Sequence, residues 1–185
     1  MSSRQLIAAV VILLSMSNLT AQAEHVLPPL QHTFFCMKYP SECKSQTEAK
    51  AQSVPKARRI RELQQVNATV NQAISSVQLQ PSPLKQWTIF PRMGDCGDYA
   101  VTKRHILLSR GWPSSHLLLA EVVLRRTGVH HLILIAKTEK ENVVLDNLRG
   151  EVLPLKDIFR DYFMIRIEAS DNPEFWIRPS GYGLS

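Results

Sequence analysis

Cys96 lies in the run Gly94-Asp95-Cys96-Gly97-Asp98-Tyr99, ahead of Ala100, Val101, Arg104, Leu107 and Leu108 at helical spacing. That spacing predicts a helix with a thiol in its first turn. Backbone N–H groups and the helix dipole there favour the thiolate, the nucleophilic form of cysteine. Gly94 and Gly97 keep the adjoining backbone bare, so a carbonyl can approach the sulfur. Asp95 and Asp98 oppose this, because nearby carboxylates repel a thiolate. Such a thiol needs an imidazolium close in space, and the pair would then suit nucleophilic acyl chemistry.

Six histidines compete for that role. His25 and His32 lie in an N-terminal stretch rich in proline, and His116 precedes an apolar run. His105 is on the Cys96 helix itself, nine residues on, or about 13 Å along the axis, beyond reach of the sulfur. His130 and His131 open the run His131–Ala136 after the turn at Thr127-Gly128. His131 shares a strand face with Ile133 and Ile135, so that face is expected to point inward and His130 outward. If the next hairpin folds about Glu139-Lys140, Asp146 falls opposite Ile133, diagonal to His131 on the same face. Asp146 also interrupts an apolar run, where a carboxylate needs a partner. Cys96, His131 and Asp146 are therefore the expected nucleophile, base and orienting acid, with Asn147 and Asp157 as weaker choices for the last.

The elements around these residues are legible in outline. Ile60, Leu63, Val66, Val70, Ile74 and Val77 mark an amphipathic helix that begins near Pro55 and stops before Pro81. Asn67 and Asn71, one turn apart on it, are expected to face solvent. The connector 81–95 carries Trp87, whose indole N–H is a candidate donor to an oxyanion, though core packing is the plainer expectation. Gly111 and Pro113 end the Cys96 helix. The runs Leu117–Arg125, His131–Ala136, Val143–Leu148 and Tyr162–Ile167 read as strands. Helices followed by a mainly antiparallel sheet make an α+β fold.

At the N-terminus, Arg4, the apolar run Leu6–Leu14 and Ala21-Gln22-Ala23 have the form of a secretory signal cut after Ala23. An uncleaved anchor is the alternative, but the run is short for a bilayer span of about 20 residues, and no second apolar run follows. Cleavage would leave 185 less 23, or 162 residues, enough for one domain. The net charge of +6 loses only Arg4 and becomes +5. An exported chain with scattered bases is not expected to bind nucleic acid. Export, to a periplasm or beyond, places the three cysteines in an oxidising compartment. Cys36 and Cys43 are seven apart with Pro40 between them, so a small disulfide loop is expected and Cys96 is left as the free thiol. The chain thus divides into a signal at 1–23, an irregular arm carrying the disulfide at 24–55, and a catalytic domain at 56–185.

The order helix-start Cys, strand His, next-strand Asp resembles the papain/transglutaminase-like core. More closely, the chain resembles the bacterial transglutaminase-like cysteine proteinases, a family of exported proteins. The likeness rests on Val66-Asn67-Ala68-Thr69-Val70-Asn71, Trp87, Gly94–Ala100 with Lys103-Arg104, Gly111-Trp112-Pro113, His131-Leu132-Ile133-Leu134 and Leu145-Asp146-Asn147-Leu148. It implies a cysteine peptidase with the Cys96, His131 and Asp146 roles above, and a protein substrate. In some members that substrate is a surface adhesin governing biofilm attachment. Some members also depend on calcium, held by acidic residues in an Asp-Cys-Glu-Asp run. Here Asp95 and Asp98 are the calcium candidates, but Gly97 stands where the Glu would be, and calcium takes six to eight oxygens. No cofactor is otherwise required.

Two other functions fit the same residues. Acyl transfer from glutamine to an amine shares the acyl-enzyme with hydrolysis, and a binding module could persist on a retired enzyme scaffold. A Cys-His-Asp zinc site is poor, since structural zinc usually takes four closely spaced ligands.

Overall fold

The computed structural model describes residues 24–45, 56–77 and 84–179. The expected signal at 1–23 lies outside the described residues, as do 46–55, 78–83 and 180–185. Among the described residues no helix is long and apolar enough to cross a membrane.

The 24–45 segment, expected to be irregular, instead forms strand β1 (Glu24–Val26), helix α1 (Leu30–Lys38) and a 3₁₀ turn at Pro40–Cys43. Its mixed composition hid an amphipathic turn of helix, because the side chains that anchor it, His32 and Phe35, are three apart and buried. The disulfide is present: Cys36 and Cys43 are joined, with Cα atoms 5.6 Å apart. Helix α2 (Lys56–Ala73) buries Leu63, Val66 and Val70, with Ile74 buried just past its end, as the spacing predicts, but Ile60, expected on the same face, is exposed and Val77 lies beyond the helix. Short strands β2 (Ser75–Ser76) and β3 (Met93–Gly94) pair in parallel and lead into helix α3 (Cys96–Ser109). Gly111 then takes a left-handed turn (φ 88°) that stops the helix.

The remaining elements are β4 (Leu117–Leu124), β5 (His130–Lys137), β6 (Asn142–Leu145), β7 (Leu153–Pro154), the short helix α4 (Leu155–Ile158), β8 (Tyr162–Glu168) and β9 (Trp176–Arg178). They form a sheet in the order β1-β9-β8-β4-β5-β6-β7. Every pairing in it is antiparallel. The β5–β6 hairpin has the expected register, with Leu134 opposite Leu145. Because β1 pairs with β9, the N-terminal segment is woven into the same sheet as the candidate site.

Both faces of this sheet are covered. Leu132, Leu134 and Ala136 of β5 join one apolar cluster with Val70 of α2 and Ala100, Val101 and Leu107 of α3. Ile133 and Ile135 join a second with Ala120, Val122, Ile158 and Met164. The inward face expected from Ile133 and Ile135 is thus real, but the opposite face is inward too. Burial alone cannot single out His131 on such a strand. Helix α3 is buried on all sides from Gly97 to Arg104, which holds its first turn rigidly beneath the rest of the site.

Candidate active site

Cys96 opens α3 and is half-buried, with a free thiol. Asp95 is the N-cap in extended backbone conformation, and its Oδ1 accepts the Gly97 N–H at 3.0 Å. Asp98 reaches back, its Oδ2 accepting the Asp95 N–H at 2.9 Å. This reciprocal capping box satisfies backbone donors that a helix start leaves open. It also explains why two carboxylates can flank a nucleophile: they are structural acceptors first.

The segment before β3 folds over this turn. The Thr88 N–H donates to Asp98 Oδ1 at 2.8 Å, and the Phe90 N–H to Thr102 Oγ1 at 3.1 Å. The Trp87 indole is buried and lies on Gly97, where a Cβ would stand 2.1 Å from Nε1. Gly97 is therefore required by close approach of the indole. Lys85 Nζ lies 2.5 Å from Asp95 Oδ2 and 2.6 Å from Asp98 Oδ2. Partial burial opposes the lysine's charge, but hydrogen bonds to Asp95 and Asp98 outweigh it and raise its pKa. The repulsion that the two carboxylates were expected to exert on Cys96 is thus countered by a cation that sequence spacing did not point to.

His131 is buried near the start of β5, and Asp146 is fully buried just past the end of β6. The imidazole Nε2 lies 2.8 Å from Asp146 Oδ1, which leaves Nδ1 for the Cys96 thiol. Asp146 Oδ1 also accepts the Leu148 N–H at 3.0 Å, and Oδ2 accepts the Tyr162 hydroxyl at 2.6 Å. Tyr162 stacks obliquely on the His131 ring, centroids 5.9 Å apart. The loop after Asp146 is held from α2, against the expectation that Asn67 and Asn71 face solvent. Asn71 Nδ2 donates to the Asp146 and Arg149 carbonyls at 2.9 and 3.0 Å. Asn67, fully buried, donates to the Arg149 and Gly150 carbonyls.

Burial would lower the His131 pKa, but its hydrogen bonds and attraction to Asp146 and Cys96 prevail and raise it to about 9. Burial would raise Asp146, yet His131, Tyr162 and the Leu148 N–H hold it below the usual carboxylate range. Lys103, two turns deeper on the same helix, is driven down to about 7 by burial, while Asp146 pulls the other way. The structure thus brings Cys96, His131 and Asp146 to one place, with an imidazole disposed to carry charge next to a thiol.

The other expected residues fall elsewhere. His105 pairs with Glu42 at 2.7 Å and the exposed His130 with Glu121 at 2.7 Å. His32 is buried against Glu168. Asp157 belongs to α4, and Asn147 follows Asp146 in the loop. Sequence reasoning missed Lys85, Tyr162 and Lys103 as parts of this site. Of these only Lys103 carried a signal, its place two turns after Cys96 on the helix face that meets the sheet.

A model of the bacterial transglutaminase-like cysteine proteinase family matches residues 22–181 of the chain. No curated protein sequence matches it. Among solved structures, LapG from Legionella pneumophila superposes with TM-score 0.54 at 21% identity, covering 68% of this chain and 70% of that one. Its calcium-bound form gives TM-score 0.53 at 22% identity, covering 67% of this chain and 74% of that one. At this identity the likeness is one of fold.

Proposed function

Since the chain belongs to the bacterial transglutaminase-like cysteine proteinases, and so is a cysteine-type peptidase acting on protein substrate, we propose that Cys96, His131 and Asp146 are its catalytic triad. The observation that carries this is the His131 ring, bonded through Nε2 to Asp146 and facing the only free thiol among the described residues.

Asp146 fixes the imidazole with its proton on Nε2, which directs Nδ1 to the sulfur. Proton transfer between them yields thiolate and imidazolium. The thiolate attacks the scissile carbonyl carbon, and the oxyanion that forms is held by the Cys96 backbone N–H and the Trp87 indole N–H. The tetrahedral adduct collapses as His131 protonates the departing amine, leaving a thioester on Cys96. Water then adds to the thioester, giving its proton to His131. The acid product leaves and the thiol is restored. Tyr162 and the Leu148 N–H keep the Asp146 carboxylate aligned, and Asn71 holds the loop that carries it.

The signal-like N-terminus supports a reading in which this activity acts after export, in the periplasm or at the surface, on a surface protein. The test compares exported proteins from wild type and a Cys96→Ala strain, with the purified enzymes assayed on the same extract. A cleavage product that appears only with wild type supports the reading, and an undiminished product from the variant refutes it. Adding a labelled alkylamine separates hydrolysis from acyl transfer: hydrolysis leaves the products unlabelled.

A further inference from the structure

The geometry points to Lys85 as a built-in cation that organises the nucleophile turn in place of a divalent metal. This rests on the reading of Cys96 as nucleophile and concerns how its loop is ordered. Calcium is bound in a LapG structure of the same fold, so the first question is whether the residues here fit that ion.

They do not. Each of the four carboxylate oxygens on Asp95 and Asp98 is engaged by nitrogen. Asp95 Oδ1 takes the Gly97 N–H and Oδ2 faces Lys85 Nζ. Asp98 Oδ1 takes the Thr88 N–H, while Oδ2 takes both the Asp95 N–H and Lys85 Nζ. Calcium needs about six to eight oxygens at about 2.3–2.6 Å. Here the ammonium nitrogen already stands 2.5 and 2.6 Å from two of them. No carboxylate can be supplied from position 97, because the Trp87 indole fills the space a side chain would use.

The lysine also does something an exposed ion pair would not. Its side chain is 19% exposed and that of Asp98 only 3%, so an uncompensated Asp98 would be costly. Asp98 in turn holds the Thr88 N–H and the Asp95 N–H, the first beside Trp87 and the second beside Cys96. Lys85 is therefore a positioning residue: it neutralises the carboxylates that clamp the 84–92 segment to the start of α3. Trp87 stays on Gly97 and the Cys96 N–H stays open to substrate as a result.

The experiment titrates calcium chloride into the purified wild type and into the K85A and K85R variants, following heat and thermal unfolding, with kcat and KM measured in EGTA and in millimolar calcium. Wild type is expected to give no binding heat, a Tm change under about 1 °C at about 1 mM calcium, and the same kcat with chelator as without. K85A is expected to lose about tenfold or more in kcat with KM little changed, the mark of a disordered nucleophile turn rather than lost substrate contact. K85R, which keeps a cation, should recover most of that loss. Saturable calcium binding by wild type, inhibition of wild type by EGTA, or K85A with unaltered kcat and Tm would each overturn the proposal. Should K85A fail to fold, the wild-type titration decides alone. Calorimetry reads the cation site without turnover, so a calcium heat can overturn the role of Lys85 whether or not the triad assignment holds.

Discussion

Two histidines in this protein are buried between a carboxylate and a sulfur. His131 lies 2.8 Å from Asp146 and faces the Cys96 thiol. His32 lies 3.1 Å from Glu168, and its ring nitrogens are 3.6 and 3.8 Å from Cys36 Sγ. Both constellations combine an imidazole, a carboxylate and a sulfur, yet they differ in what each sulfur can do. Cys36 is bonded to Cys43, so it has no proton to give and cannot form a thiolate nucleophile. Cys96 is free, half-buried and at a helix N-terminus. Glu168 is drawn into structure as well: it accepts the Leu119 N–H at 2.8 Å and lies 3.8 Å from the buried Arg104. A Cys-His-acid set is therefore a site only where the sulfur is unspent and solvent can reach it. The His32 set ties α1, α3, β4 and β8 together, and the His131 set is the one proposed to meet substrate.

The cysteines should separate the two most sharply. Cys96→Ala is expected to cut kcat/KM by at least about 10⁴-fold while leaving Tm close to wild type, since the half-buried thiol adds little to the core. The double change of Cys36 and Cys43 to Ala should do the reverse. Losing a short cross-link costs about 2 kcal/mol, or about 5 °C in a domain of this size, with kcat/KM at lower temperature nearly unaltered. Paired activity and melting measurements on the two variants decide this; equal activity losses would erase the distinction.

How much of this contrast the sequence carries depends on the range of each contact. Cys96 was legible because its setting is local: the glycines, the aspartates and the helix all lie within one short run. His131 and Asp146 were legible because a single tight hairpin sets their register, and the pairing of Leu134 with Leu145 is the expected one. Lys85, Tyr162 and Asn71 were not. Their partners are 13, 16 and 75 residues away, across elements whose mutual placement no periodicity encodes. His32–Glu168, 136 residues apart, was out of reach for the same reason. The 24–45 segment looked irregular because its order comes from the sheet edge and core it joins, and its own pattern is weak.

The carboxylates come next. Asp146→Asn keeps the shape but presents an amide where His131 needs an acceptor, so the imidazole can adopt the wrong tautomer. A loss on the order of a thousandfold in kcat is expected, with little change in KM. Glu168→Gln, its counterpart, leaves the buried Arg104 without its anionic neighbour. It should lower Tm by about 5–10 °C and leave kcat within a few fold. A stable, fully active Asp146→Asn enzyme would place the chemistry elsewhere.

pH should act on the first pair in a predictable sense. His131 titrates near 9, above its ordinary 6.5, because Asp146 and Cys96 favour its charged form over the opposing effect of burial. Its protonated form thus persists through neutrality and is lost as pH rises through about 9. The acid for the departing amine goes with it, so kcat/KM should fall about tenfold per unit above that point. The stabilisation from the pair follows the same sign. It is complete below about 6.5, the unfolded value, and disappears as pH climbs through 9. Asp146 adds the opposite limb, its contribution being present above its ordinary range and lost at lower pH. A profile rising steadily to pH 10 would contradict this assignment.

The smallest expected effect lies on one helix, where the two regions meet in adjacent cations. Arg104 is fully buried and serves the His32 side, donating to the Leu117 carbonyl at 3.0 Å and to the Glu42 carbonyl. Lys103 is fully buried on the Asp146 side, and its Nζ makes no hydrogen bond among the described residues. A guanidinium keeps its charge in the interior and must be satisfied, whereas an amine can shed its proton. Lys103 does so from about 7 upward. A lysine whose folded pKa is depressed costs stability, in full below the folded value and not at all above about 10.4, where the unfolded chain is also neutral. Lys103→Met should therefore raise Tm by a few degrees at pH 6 and by progressively less towards pH 10. Near pH 9 the lysine it replaces is already uncharged, so kcat/KM there should stay within about threefold of wild type. Arg104→Met, one residue along, should destabilise at every pH, since Glu168 loses its neighbour and two carbonyls lose their donor. If the two variants instead behaved alike, the interior on both sides of α3 would be equally tolerant of charge, and the distinction between a frame and a reactive centre would lose its electrostatic basis.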